Sequence, residues 1–190
     1  MLLMLVLTGL IFVGKPFICA WGGEEYGAAY WIALLLIAPV TVPLIQNIGI
    51  EIQRAKNMHQ FRSKVYFCMA IGNALVSIPL GMKFGGIGCA LGTAISMVVG
   101  NGFIMNWYYQ THIGLDMRYF WKHILSIVPA MLPAVALGII AVRLHTFTGY
   151  AGVVTFAVPY AAVYAVGLYL FAMDESEKDM VRGVMRKIRR

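Results

Sequence analysis

Residues 28–50 contain no charged side chain, and neither do residues 65–82, 87–108 or 150–172. A helix that is hydrophobic all round has no face to offer water, so runs of this kind do not belong on a soluble domain. Each is close to the roughly 20 apolar residues that an α-helix needs to cross about 30 Å of hydrocarbon. Composition agrees: 61% of the 190 residues are hydrophobic, 12% are charged and the mean hydropathy is +0.78, whereas soluble domains carry about 25% charged residues. Soluble globular, disordered and coiled-coil classes are excluded. The chain reads as an all-α transmembrane protein.

Apolar runs at 1–13, 28–50, 65–82, 87–108, 124–144 and 150–172 predict a six-helix bundle over 1–172, followed by a basic amphipathic tail at 173–190. The first run is short. At 1.5 Å per residue it covers about 20 Å, so it reads as cut and the chain as part of a longer protein. A secretory signal is a poor fit, because no basic residue precedes the apolar stretch and Phe17-Ile18-Cys19 lacks the small residues of a cleavage site.

The fifteen Lys and Arg residues set the orientation. Lys15, Lys83 and Arg143 fall on one side of the six predicted crossings. Arg54, Lys56, Arg62, Lys64, Arg118, Lys122, Lys178, Arg182, Arg186, Lys187, Arg189 and Arg190 fall on the other. The positive-inside rule puts the second group, and both chain ends, in the cytoplasm of a multi-pass protein of the cytoplasmic membrane. The net charge of +7 is thereby assigned to anionic lipid headgroups rather than to nucleic acid. Trp21, Tyr26, Tyr30 and Trp31 mark one interface; Trp107, Tyr108, Tyr109, Tyr119 and Trp121 mark the other. Two segments outside the spans have apolar stripes suited to lying in the interface. Residues 116–123 present Met117, Phe120, Trp121 and Ile124, and the tail presents Met180, Val181, Val184, Met185 and Ile188. Cys19, Cys68 and Cys89 are widely spaced and odd in number, which suits small core residues better than a disulfide or metal framework.

Intramembrane chemistry is usually marked by ionisable residues at depth, and the predicted spans carry none in their middle. His59, His112, His123 and His145 lie in or beside loops, without zinc spacing, and no Ser, His and acid group is placed for nucleophilic work. The expectation is a non-enzyme with neither cofactor nor metal. What the spans do carry is neutral polar groups, prolines and glycines. Pro39 and Pro43, then Pro129 and Pro133, each stand four apart and are hinge candidates, because each removes a backbone hydrogen bond; Pro159 lies in the last run. Static kinks in a packed bundle are the alternative. Asn47, Glu51 and Arg54 share one stripe at i, i+4 and i+7, and with Gln46 and Asn73 they are candidates for lining a substrate cavity. The competing reading is an Asn bonded across helices beside an exposed Glu51–Arg54 pair. Gly88, Gly92, Ser96 and Gly100 recur every four residues, a small-residue ridge that lets another helix backbone approach. Asn101 and Asn106 are further polar positions suited to interhelical bonding.

The order of several motifs resembles the C-terminal half of polysaccharide flippases, which move lipid-linked oligosaccharides and belong to the multidrug and toxin extrusion-like exporter superfamily. The residues that carry the resemblance are Gly14-Lys15-Pro16-Phe17-Ile18 through Trp21-Gly22 and Tyr26, then Arg54-Ala55-Lys56-Asn57. Asn73 follows ahead of Phe84-Gly85-Gly86-Ile87-Gly88-Cys89-Ala90-Leu91-Gly92-Thr93-Ala94-Ile95-Ser96, and Leu115-Asp116 with Phe120 and Lys122 completes it. It covers nearly the whole chain. It implies one half of a two-bundle transporter whose central cavity opens alternately to each side, with a missing N-terminal bundle as partner. It also implies a lipid-linked oligosaccharide as cargo for O-antigen, capsule or exopolysaccharide assembly, with the polymerase machinery as a further partner. The cation that would meet the carrier's pyrophosphate would come from the missing half, or from Lys15 and Arg54 at the cavity rims. Export of another amphipathic cargo, such as a peptidoglycan lipid precursor or a drug, is the nearest alternative; a non-transporting scaffold of polysaccharide assembly is the second.

Overall fold

The computed structural model describes residues 2–144, 149–173, 175 and 177–179, and every regular element among them is helical. In chain order the α-helices are α1 (Leu2–Gly22), α2 (Ala29–Ile45), α3 (Asn47–Ala55), α4 (His59–Met97), α5 (Asn106–Tyr108), α6 (Met117–Ser126), α7 (Val128–Leu144) and α8 (Gly149–Phe171). A 3-10 turn at Glu24–Ala28 precedes α2, and π-helical stretches at Val98–Met105 and Tyr109–Ile113 flank α5. Among the described residues five runs are long and apolar enough to cross a membrane: Leu2–Gly22, Glu24–Ile45, His59–Ile113, Met117–Arg143 and Gly149–Phe171.

These runs differ from the sequence-based spans at informative places. α1 continues through Gly14-Lys15-Pro16, where the sequence reading stops at residue 13. A proline costs its own N–H and crowds one carbonyl, which bends a helix without ending it when the flanking residues favour continuation. The 21 residues of α1 therefore cover about 31 Å, enough for a full crossing. Lys15 consequently lies within α1 and is exposed, instead of sitting in a connection. The second predicted span breaks at Gln46 into α2 and α3. The fifth is broken at Ile127, between α6 and α7. α6 extends the expected interfacial helix; Asp116 starts it, its Oδ1 accepting the Tyr119 N–H at 3.0 Å. The stripe expected in the tail at 180–188 lies outside the described residues.

The 55-residue run His59–Ile113 folds back on itself at Gly85, whose backbone (φ 61°, ψ −142°) is open only to glycine. Arms 59–84 and 86–113 then run antiparallel. The contacts converge on the turn: Gly100 meets Met69, Gly92 meets Ser77 and Gly88 meets Leu80. A Cβ at Gly88 would strike the Leu80 carbonyl, one at Gly92 would come within 2.8 Å of the Ser77 Cα, and one at Gly100 would strike the Met69 sulfur. Across the same seam Thr93 donates to Asn73 Oδ1 at 3.3 Å, an oxygen that also accepts from the Ser77 hydroxyl on its own arm at 2.6 Å. The second arm ends at Gly114, which takes the left-handed conformation (φ 78°) and lets the Leu115 N–H close on the Tyr109 carbonyl at 3.0 Å. Together with α2 and α3 this hairpin forms one compact unit, Gly22–Phe120.

The other unit joins Met1–Trp21 to Trp121–Arg190. Its core sets large against small. Phe156, Tyr160, Tyr164 and Leu168 form an i, i+4 stripe on α8, facing Ala130 and Ala134 on α7. Phe12 of α1 inserts against Gly138 and meets the rings of Phe156 and Tyr160, with centroids 6.2 and 5.7 Å away. Where lipid tails are as apolar as the side chains, such close shape matching supplies the drive that water exclusion supplies elsewhere.

Gly72 lies on the first arm with nothing within 4 Å of an added Cβ, whereas Gly88 abuts backbone. Gly88→Ala is expected to destabilise the detergent-solubilised protein by about 1–3 kcal/mol, while Gly72→Ala stays within about 0.5 kcal/mol. Thermal unfolding followed by circular dichroism separates the two.

Candidate functional site

Several polar residues of the Gly22–Phe120 unit meet along one seam, where α3 lies beside the end of the hairpin's second arm. The seam begins with the turn at Gln46, whose side chain is 3% exposed. Gln46 Nε2 donates to Asn106 Oδ1 at 2.6 Å and more weakly to the Asn101 carbonyl at 3.4 Å. Asn106 Nδ2 in turn donates to the Gly102 carbonyl at 2.6 Å. Asn101, 4% exposed, accepts from the Tyr66 hydroxyl at 3.1 Å, and Tyr66 accepts from Arg62 Nη2. The Arg62 guanidinium also lies 4.7 Å over the Tyr66 ring and within electrostatic reach of the Tyr109 hydroxyl.

Further along, Tyr109 rests its ring on Gly49, 3.3 Å from where a Cβ would stand. Lys56 Nζ closes the seam on the Ile113 carbonyl at 2.8 Å. Gln46, Gly49 and Lys56 thus meet Asn106, Tyr109 and Ile113 in the same order along the chain, so the two helical segments run parallel. The π-helical stretch matters here. Its i to i+5 bonding widens the helix locally, and Asn101 and Asn106, five apart, both reach Gln46.

Two buried polar atoms in this seam have no hydrogen-bond partner among the described residues: Arg62 Nη1 and Gln53 Oε1. Gln53 is 1% exposed and spends its amide on the Met58 carbonyl at 3.0 Å. One orphan is a cationic donor and the other a neutral acceptor. Buried groups of that kind are costly to leave unmet, so they mark where an anion, a hydroxyl or a water gains most by binding.

The candidates read from the sequence fall in three places. Gln46 and its partners Asn101 and Asn106 are in the seam. Asn47, Glu51 and Arg54 are exposed on another face of α3, where Arg54 pairs with Glu51 at 2.8 Å. Asn73 is within the hairpin, committed to Ser77 and Thr93. Pro39 and Pro43 are inside α2, which ends two residues after Pro43. Pro133 is inside α7, and Pro129 occupies its first turn, where a missing N–H costs least. Gly88, Gly92 and Gly100 face the first arm, and Ser96 lines the space beside it. Gln53, Arg62, Tyr66 and Tyr109 were not singled out as site residues. For Gln53 the signal is the second stripe of α3, one residue away from Asn47, Glu51 and Arg54; Arg62, Tyr66 and Tyr109 lie on other elements and carry no comparable signal.

Searched against protein-family models, curated proteins and solved structures, the chain matches none.

Single cysteines introduced into a background lacking Cys19, Cys68 and Cys89 distinguish the two faces of α3. Positions 51 and 54 are expected to react with a water-soluble maleimide at least tenfold faster than positions 46 and 53. Gln46→Leu, which strips Asn106 of its donor, is expected to cost about 1–2 kcal/mol in unfolding titrations.

Proposed function

We propose that this chain is one six-helix bundle of a two-bundle flippase in the cytoplasmic membrane, moving lipid-linked oligosaccharide outward for surface polysaccharide assembly. The fold-back at Gly85 supports the count, because it turns five apolar runs into six crossings. An even count leaves both ends on the basic side, as the distribution of Lys and Arg asks. The turn also falls inside Phe84-Gly85-Gly86-Ile87-Gly88, the densest of the motifs shared with the flippases.

The observation that carries the reading furthest is the seam of amides and phenols with an under-satisfied Arg62. A lipid-linked oligosaccharide combines an acidic pyrophosphate with many hydroxyls. Amide side chains exchange hydrogen bonds with hydroxyls in both directions, and a guanidinium meets phosphate oxygens in a forked geometry. Arg62 takes the role first assigned to Arg54, because Arg54 is paired with Glu51 and solvent-facing. The second bundle completes the cavity in this reading, the surrounding lipid and the polymerase machinery are its other partners, and alternating access follows from one bundle rocking against the other.

The test uses the reading frame that encodes the chain, introduced into a flippase-deficient strain, with movement of labelled lipid-linked sugar in vesicles as the second readout. Restored surface polysaccharide and labelled-sugar movement are expected, with a loss of tenfold or more in Arg62→Gln while the cysteine pattern of α3 is unchanged. Efflux of drugs without sugar movement would favour the drug-export alternative. No movement of any cargo, with the protein folded in the membrane, would favour the scaffold.

A further inference from the structure

The two arms of the hairpin border a groove of about 450 Å³. Its walls come from 61–76 of the first arm and 95–104 of the second. They are apolar except at Ser96 and at Lys64, the one charged residue of the lining. Cys68, Ile95 and Val99 on its rim are exposed, so the groove opens sideways along its length. Lys64 stands at one end and Val76 towards the other. At 1.5 Å per helical residue they are about 18 Å apart, close to the roughly 15 Å that one leaflet contributes to the hydrocarbon core. Lys64 lies on the basic side of the molecule, where anionic headgroups attract Lys and Arg.

We infer that this groove holds an acyl chain of an anionic phospholipid from the adjoining leaflet, with the headgroup phosphate on Lys64. A helix about 10 Å across is wider than the groove and could lie only partly in it, whereas a single acyl chain fits along its length. Charge favours an acidic headgroup over a neutral one, because the single cation of the lining stands at the end that meets the membrane surface. The occupant is a lipid of the bilayer and not a transported cargo, so the inference stands independently of flippase activity. Gly72, midway along, keeps the floor of the groove open, with nothing within 4 Å of an added Cβ.

The experiment is native mass spectrometry of the full chain in detergent with equal concentrations of phosphatidylglycerol and phosphatidylcholine of matched chains. Phosphatidylglycerol adducts are expected to exceed phosphatidylcholine adducts by about fivefold, the effect of one basic side chain near an acidic headgroup. Lys64→Gln is expected to bring the ratio close to one, whereas Lys122→Gln, on α6 and outside the groove, leaves it unchanged. Gly72→Leu, at a position with nothing within 4 Å of an added Cβ, puts a side chain into the groove and is expected to lower both adducts at least threefold. Equal adducts in the unsubstituted chain, a preference that survives Lys64→Gln, adducts indifferent to Gly72→Leu, or a dimer that Gly72→Leu abolishes would each overturn the proposal.

Discussion

The approach of two helix backbones at Gly88 and Gly92 governs the Gly22–Phe120 unit. Hydrocarbon offers backbone groups no partners, so the chain must stay helical up to and beyond a reversal, and only a very short turn is tolerated. Gly85 provides that turn, and the glycines after it let the returning arm lie against the Leu80 carbonyl and the Ser77 backbone. With the arms this close, Asn73, Ser77 and Thr93 satisfy one another across the seam. The arms are wider apart towards Lys64, where Ser96, Val99 and Ile104 line the apolar groove. The groove and the hairpin are thus two consequences of one pattern of residue sizes.

The second arm's position fixes the polar seam. Its π-helical stretch brings Asn101 and Asn106 onto Gln46, and the turn after Pro43 presents Gln46 to them. Hydrogen bonds between amides within a membrane contribute modestly each, about 0.6 kcal/mol on average. Their effect here is to set the register of α3 against the second arm. Arg62 Nη1 and Gln53 Oε1 are then shielded atoms with no hydrogen-bond partner among the described residues, although Arg62 as a residue is only half-buried and its Nη2 donates to Tyr66.

Much of this was legible in the sequence. Charge-free runs of about 20 residues identify spans because the bilayer fixes their length, and the four-residue repeat of Gly88, Gly92, Ser96 and Gly100 identifies a ridge. Boundaries were less legible. Gly14-Lys15-Pro16 has the composition of a loop, yet α1 continues through it, because one proline removes only its own N–H while ending a helix in hydrocarbon leaves several backbone groups unmet. The polar character of α3 was legible, but not which of its stripes is buried: Asn47, Glu51 and Arg54, the more polar stripe, are exposed. The seam instead buries Gln46, Gly49 and Gln53, a stripe whose glycine makes room for Tyr109. No 3.6-residue pattern could have put Asn101 beside Asn106, since they converge only where the helix widens.

The fold-back at Gly85 is the claim on which the hairpin, the groove and the seam all rest, and one crosslink tests it. Ser77 and Cys89 exchange contacts in the hairpin, the Ser77 hydroxyl lying 3.3 Å from the Cys89 carbonyl and the Cys89 sulfur 3.8 Å from the Ser77 carbonyl. In an uninterrupted helix the same residues would stand about 18 Å apart, far beyond the reach of a disulfide. Ser77→Cys, with Cys89 retained and Cys19 and Cys68 replaced, is therefore oxidised in native membranes and its products are mapped by proteolysis. Rapid, concentration-independent formation of an intramolecular 77–89 disulfide is the predicted result. Failure to form it, with both thiols shown reactive to alkylation, would contradict the fold-back and the account built on it.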